Sequence, residues 1–211
     1  MTAQEIYNHI KNQYSSSETT ICHLHQPRPH VACCLDEQFK CLSPSQIKVL
    51  NFDHITSGYC GNQGISVCSS TDAISYKNSY LIFVEIKGWR QFIKYSLSNA
   101  YNKDKIEDQE SKYDLNKKIE ESISTCEKII APDSMPVDDE IIYILVIDTS
   151  TKQHGAKWQL LQNLNLLAYD SSSIYRTIDD VTERDLQSSV KRPIRKMRVF
   201  CQNFDKTYAG I

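Results

Sequence analysis

The chain has no apolar run approaching the roughly 18 residues that a bilayer-crossing helix requires. Its longest such runs, YLIFVEI and IIYILVI, are the length of single strands. Glycine and proline are scarce, 6 of each, which argues against long flexible linkers and low-complexity tails. Net charge is nearly absent: 24 Lys and Arg against 26 Asp and Glu give −2. No polyanion is therefore held by overall charge, although a local basic surface beside an acidic site stays open. The opening MTAQEIYNHIKNQY is polar and helical in spacing, unlike a secretory signal. The expectation is a cytoplasmic protein with no membrane contact.

What is abundant is cysteine, 8 in 211 residues, with Cys22, Cys33, Cys34, Cys41, Cys60 and Cys68 in the first third among His23, His25, His30 and His54. Thiolate and imidazole together suit tetrahedral Zn²⁺, so CHLHQPRPHVACC raises a zinc-binding adaptor as one reading. No CxxC pair is present and the spacings match no common finger, so buried small hydrophobes are the better account of these thiols. With no secretion signal, a disulfide framework is not expected. GYCGNQG lacks both a phosphate-loop lysine and GxGxxG spacing, no GxSxG occurs, and no Cys–His spacing argues for a nucleophile.

Hydrophobic periodicity lays out the rest. Ile6, Ile10 and Tyr14 mark a helix over residues 3 to 14. HVACCLDEQF reads as a strand. SPSQIKVLNF reads as a helix start, with Ser43 as cap and Pro44 in the first turn. Gly58, Gly61 and Gly64 mark a loop. Strands follow at 72–77 and 80–87, joined through KNS as a hairpin. A helical segment is expected at 90–99 and one long helix at 104 to 130, with Leu115, Ile119, Ile123 and Ile130 as its stripe. EIIYILVID (140–148) reads as a central strand, AKWQLLQNLNLLAY as a helix and RKMRVFCQ as the last strand. The order implies an α/β fold with a mixed central β-sheet flanked by helices. It forms one domain over 1–211, with a Cys/His-rich part at 1–68 and a core at 69–150.

The strand LIFVEIK carries the chemistry. Leu81, Phe83, Glu85 and Lys87 share one face and Ile82, Val84 and Ile86 the other. Both faces are apolar until Glu85, so its carboxylate is partly desolvated, at a cost unless a cation or hydrogen bonds compensate. Asp72, at the head of the preceding strand, supplies a second carboxylate. Two acidic side chains and the main-chain carbonyl of Ile86 make a hard-oxygen site suited to Mg²⁺ or Mn²⁺. Lys87 can then orient the attacking water and stabilise a phosphorus transition state. The alternative is an ion pair on a strand end.

Asp72, twelve intervening residues, then Glu85-Ile86-Lys87 closing an apolar strand resembles the PD-(D/E)xK nuclease superfamily over about residues 70–88. Thr71 stands where the family's proline stands, a common variation. The resemblance implies a restriction-endonuclease-like fold and Mg²⁺-dependent hydrolysis of phosphodiester bonds in DNA, with RNA as the alternative. Asp72 and Glu85 would hold metal and Lys87 would be catalytic. It also implies an additional acid from an earlier helix, for which Glu5, Glu37 and Asp53 qualify and Asp53 lies nearest. A polar residue after the motif is expected too, with Gln91 and Lys112 as candidates. The biological setting it suggests is restriction or phage defence, with a homodimer and an operon-encoded partner. Trp89 and Arg90 stand next to the motif as a stack or clamp for a nucleic-acid strand, with rim packing as the plainer role of Trp89. Lys191, Arg192, Arg195, Lys196 and Arg198, packed into KRPIRKMR, offer phosphate contacts, or protection of an edge strand. A non-catalytic subunit with the same fold is the remaining rival.

Overall fold

A computed structural model of the chain describes residues 1–26, 32–35, 44–98, 100–130, 135–136, 138–149, 168–188 and 192–211. Its strands are β1 (Glu18–Thr20), β2 (Lys48–Asn51), β3 (Ala73–Lys77), β4 (Tyr80–Lys87), β5 (Ile141–Ile147) and β6 (Arg195–Phe200). The helices that matter to the site are α1 (Ala3–Gln13), α2 (Ile21–Leu24), α3 (Phe52–Gln63), α4 (Trp89–Gln91), α5 (Lys103–Ser111), α6 (Leu115–Ile130), α7 (Ala168–Gln187) and α8 (Phe204–Ala209). The six strands form one sheet in the order of their numbers. β1 to β4 run as an antiparallel meander, and β5 and β6 then add parallel to β4. The fold is α/β, a mixed sheet flanked by helices on both faces.

Alternating side chains split the interior into two cores. Leu50, Ile74, Leu81, Phe83, Tyr143 and Leu145 pack beneath α1, α5, α6 and α7. Val49, Ala73, Ile82, Val84, Ile144 and Val146 pack against Ile21 of α2 and Phe204 and Tyr208 of α8. β5 is buried at all seven positions, as a strand covered on both faces must be. The hairpin between β3 and β4 turns at Asn78 (φ 46°) and Ser79 (φ 74°). Two left-handed central residues match the turn whose twist suits flanking antiparallel strands. α1 is fixed by a capping box: the Glu5 amide donates to Thr2 Oγ1, and the Thr2 amide to Glu5 Oε2. Among the described residues no helix is long and apolar enough to cross a membrane.

Four local expectations are overturned. SPSQIKVLNF does not start a helix: Lys48–Asn51 is a strand with Val49 in one core and Leu50 in the other. Being paired on both edges, β2 gains more from the sheet than a helix turn offers. The glycine-marked loop is instead α3, capped by Asn51, whose Oδ1 accepts from the His54 amide. Gly58 and Gly61 lie where an added Cβ meets nothing within 4 Å, and only Gly64 (φ 65°) ends the helix. The long helix at 104–130 is two, α5 and α6, broken where Asp114 takes a left-handed φ of 46°. The strand expected in HVACCLDEQF is, over Cys33–Leu35, a single 3-10 turn. The helix expected at 156–169 lies outside the described residues except for its last two, which open α7.

Candidate active site

The two charges that end β4 stand where the alternation placed them. Glu85 and Lys87 continue the face of Leu81 and Phe83, the face that packs under the helices. Glu85 is wholly buried. Its Oε1 accepts from Lys87 Nζ and, at 2.8 Å, from Lys118 Nζ of α6. Ala73 pairs with Val84, so continuing that register sets Asp72 opposite Glu85. Asp72 is held at both ends: Oδ2 accepts the Ile86 amide at 2.5 Å, and its carbonyl accepts the Phe52 amide at 3.0 Å. α6 is stitched to the same corner by Ser122, whose Oγ accepts from the Thr71 amide at 2.8 Å. Asp53, in the first turn of α3, accepts from the Ser70 hydroxyl.

Electrostatics tie these groups into one cluster. Burial pushes the Asp72 carboxyl up to about 7, with repulsion from Glu85 adding, Lys87 and Lys118 opposing, and Asp53 adding again. Burial works against charge on Lys118, yet Glu85, Asp72 and Asp53 overcome it and hold the ammonium above its ordinary value. Asp72 and Glu85 therefore meet two lysines at the C-terminal end of β4, and Asp53 adds its charge from α3. Glu85 Oε2 is buried and unpartnered, an orphaned lone pair of the kind a hard cation takes. Carboxylate oxygens are the donors that Mg²⁺ or Mn²⁺ prefers, and Asp72 and Glu85 are the two that could supply them here. Among the described residues, however, no three His, Cys, Asp or Glu side chains stand ready around one point. Lysine, not carboxylate, completes the cluster as it stands.

Asp53 is the earlier-helix acid that the structure brings here. Glu5 is fixed in the α1 capping box, and Glu37 lies outside the described residues. Lys112 pairs with Asp108 on the exposed side of α5, while Gln91 lines a cleft of about 240 Å³ with Asp72, Ile86, Gly88, His25 and Gln26. Lys118 was not singled out from the sequence, because a lysine beside an apolar helix stripe reads as solvated. Its only signal was Ser122, a small polar residue one turn further along the same face.

Beside His25, which lines that cleft, lies a second buried polar group. Asp148, immediately after β5, is 2% exposed and accepts the amides of Trp89 (2.7 Å) and Arg90 (3.2 Å). Arg90 Nε lies 3.3 Å from its Oδ2, and His25 Nε2 3.7 Å. Burial opposes charging of His25, but the Cys33 thiol and Asp148 outweigh it and raise the imidazole's pKa. A Cβ at Gly88 would lie 2.8 Å from His25 Nε2. Gly88→Ala is therefore expected to cost about 1–3 kcal/mol, measured by urea denaturation. In a His25→Ala background the added cost of Gly88→Ala should fall close to zero.

Among the residues proposed to touch nucleic acid, Trp89 is corrected: it is fully buried, edge-on to Phe92 (5.6 Å) and Tyr113 (5.4 Å). Its indole fills the core under α5 and offers no face to a base. Arg90 is turned to Asp148. In the basic segment, Lys191 lies outside the described residues. Arg192 pairs with Glu127 and Asp138, and Arg198 with Asp179 and Glu183. Lys196 Nζ donates to the Ser188 carbonyl. Arg195 is exposed but sits level with Ile142, at the end of β5 away from Lys87. The segment's charge is used mainly to dock α6 and α7 against the sheet edge.

Of the cysteines, Cys22, Cys33, Cys60, Cys126 and Cys201 are buried. Cys22 Sγ accepts from the Ser45 amide at 3.1 Å.

Comparison with family models, with curated proteins and with solved structures returns no match. The chain is thus defined by its own geometry: an α/β fold whose six-stranded mixed sheet presents Asp72, Glu85, Lys87 and Lys118 at one strand end.

Proposed function

We propose that the chain is a Mg²⁺- or Mn²⁺-dependent phosphodiesterase acting on nucleic acid, DNA before RNA. The observation that carries this is Asp72 set opposite Glu85 where the β3–β4 register runs one residue further, with two lysines on the buried carboxylate. The resemblance of D…ExK to the PD-(D/E)xK nucleases supports it, and with it a restriction-endonuclease-like arrangement. Asp72 and Glu85 would hold the cation, which when bound acidifies water and neutralises phosphate charge. Lys87 Nζ, 4.5 Å from the Tyr113 ring centroid, donates to the water and to a non-bridging phosphate oxygen. Lys118 supplies a second positive charge, which offsets the negative charge gathered at phosphorus. Asp53 holds Ser70 and so the approach of the chain to Asp72. A role in restriction or phage defence, and a homodimer cutting both strands, follow from the same reading.

The test is cleavage of plasmid, single-stranded DNA and RNA with Mg²⁺, Mn²⁺ or EDTA. Cutting is expected to stop in EDTA, and Lys87→Ala to lower the rate by at least about 100-fold. Undiminished cutting by that variant rules the mechanism out. A second reading is favoured by one observation: two ammonium groups already satisfy Glu85 Oε1. In that reading the triplet is a structural ion pair in a non-catalytic subunit of this fold. It predicts no Mn²⁺ binding in calorimetry and no cutting.

A further inference from the structure

Glu85 has too many partners and Glu110 has too few. A divalent ion on the free Oε2 of Glu85 would meet Lys87 and Lys118 across the same carboxylate, on Oε1, and like charges repel. That repulsion favours moving one ammonium group away, and a displaced ammonium needs a new anion nearby. Glu110, in the last turn of α5, is 4% exposed, and neither of its carboxyl oxygens has a hydrogen-bond partner. A buried, unpartnered carboxyl is costly in its charged form and is rarely left so without a reason.

The surroundings of Glu110 show what it faces. Burial and Asp185 of α7 push its carboxyl up to about 7, while Lys87 of β4 and Arg184 of α7 pull the other way. Arg184 also reaches Glu107 at 3.4 Å on the exposed side, and Asp185 bears its own neighbours, Asp114, Lys196 and Ser188. Lys87 is the cation on the sheet side. The helix turn that carries Glu110 also carries Tyr113, whose amide donates to the Glu110 carbonyl at 2.9 Å and whose ring already supports Lys87. Lys87 thus touches Glu85 and lies over the ring of Tyr113, three residues beyond Glu110 and hydrogen-bonded to its carbonyl.

We propose that Glu110 is a positioning residue that receives Lys87 when a divalent cation takes Glu85. Lys87 then keeps a counter-charge without competing for the metal oxygen, and its Nζ is aimed at the water from the Tyr113 side. Lys118 stays on Glu85 or yields according to how many of its oxygens the cation uses. The inference rests on the proposed cation site, and it assigns Glu110 no contact with substrate.

The test is Mn²⁺ binding, by calorimetry and by the electron paramagnetic resonance of free Mn²⁺, to the whole chain and its variants at pH 7. Glu110→Gln keeps shape and removes charge. It should weaken Mn²⁺ by about tenfold while the metal-free melting temperature holds or rises. Glu110→Asp should recover part of the affinity. In a Lys87→Met background nothing remains to be received, and Glu110→Gln should then change Mn²⁺ affinity by less than about twofold. Equal Mn²⁺ affinity of wild type and Glu110→Gln overturns the inference alone. So does a loss that persists with Lys87→Met, which marks general charge attraction instead. A wild-type chain that binds no Mn²⁺ overturns this inference and the cation site together.

Discussion

Glu85→Ala is expected to lose about 3–5 kcal/mol of stability, a large share of the roughly 5–15 kcal/mol that holds a domain folded. The reason is what stays behind. Lys87 and Lys118 have side chains only 12% and 22% exposed and both rest on one carboxylate oxygen. Without it, two ammonium groups face each other with little water to screen them. Glu85→Gln, which keeps an acceptor at the same place, should lose less. Lys118→Met added to Glu85→Ala should recover part of the loss by removing one of the stranded charges. Urea denaturation of the four chains checks this. A Glu85→Ala chain within about 1 kcal/mol of wild type would mean that the lysines are solvated and the pair contributes little. Activity is accordingly better probed with Glu85→Gln, because an inactive Glu85→Ala protein would not separate chemistry from folding.

The second large effect is a loss of stability as pH rises, in the absence of divalent cation. Asp72 and Glu110 are both raised to about 7, from ordinary values of 3.8 and 4.5. Between about pH 4 and 7 the folded chain keeps protons that the unfolded chain has released, so stability falls with pH across that window. His25 acts in the same direction: its raised value contributes stability below its ordinary 6.5 that is lost as pH climbs through the folded value. Each carboxyl shift of two to three units corresponds to on the order of 3 kcal/mol. The sum is smaller than the parts because Asp72 shares its field with Glu85. Urea midpoints at pH 5.5, 7 and 8.5 should fall in that order. Glu110→Gln should flatten the slope, and Mg²⁺ should restore more stability at pH 8.5 than at 5.5, since a bound cation favours ionised Asp72. Midpoints that rise over this range contradict the burial assigned to both acids.

The strand that carries the site was legible because two physical rules agreed there. A period of two placed Glu85 and Lys87 on one face, and the apolar residues on both faces required burial. The KNS turn followed from residues that tolerate left-handed backbone, and the fully apolar IIYILVI could only be central. The same rule, applied once more, would have found Asp148, which also ends an apolar strand with an acid. Lys118 is different in kind. Its meaning depends on α6 crossing above β4, a contact between residues 33 positions apart that local periodicity does not contain. α3 was hidden by Gly58 and Gly61, each of which costs a helix interior about 1 kcal/mol in backbone entropy, offset here by the Asn51 cap and by burial of Phe52, Ile55 and Cys60. The break between α5 and α6 was hidden by Asp114, which takes a left-handed conformation without the glycine that usually announces it. In α7, Ile174, Ile178 and Val181 do repeat at helical spacing and are buried, but serines upstream and acids between them blurred the stripe.

The measurement that bears most directly on the site is anomalous scattering from crystals grown with Mn²⁺. One peak bonded to carboxylate oxygens of both Asp72 and Glu85, with Lys87 Nζ withdrawn from Glu85 Oε1, is the expected result. Both lysines still seated on Glu85 at saturating Mn²⁺, with no peak between the two acids, would contradict it.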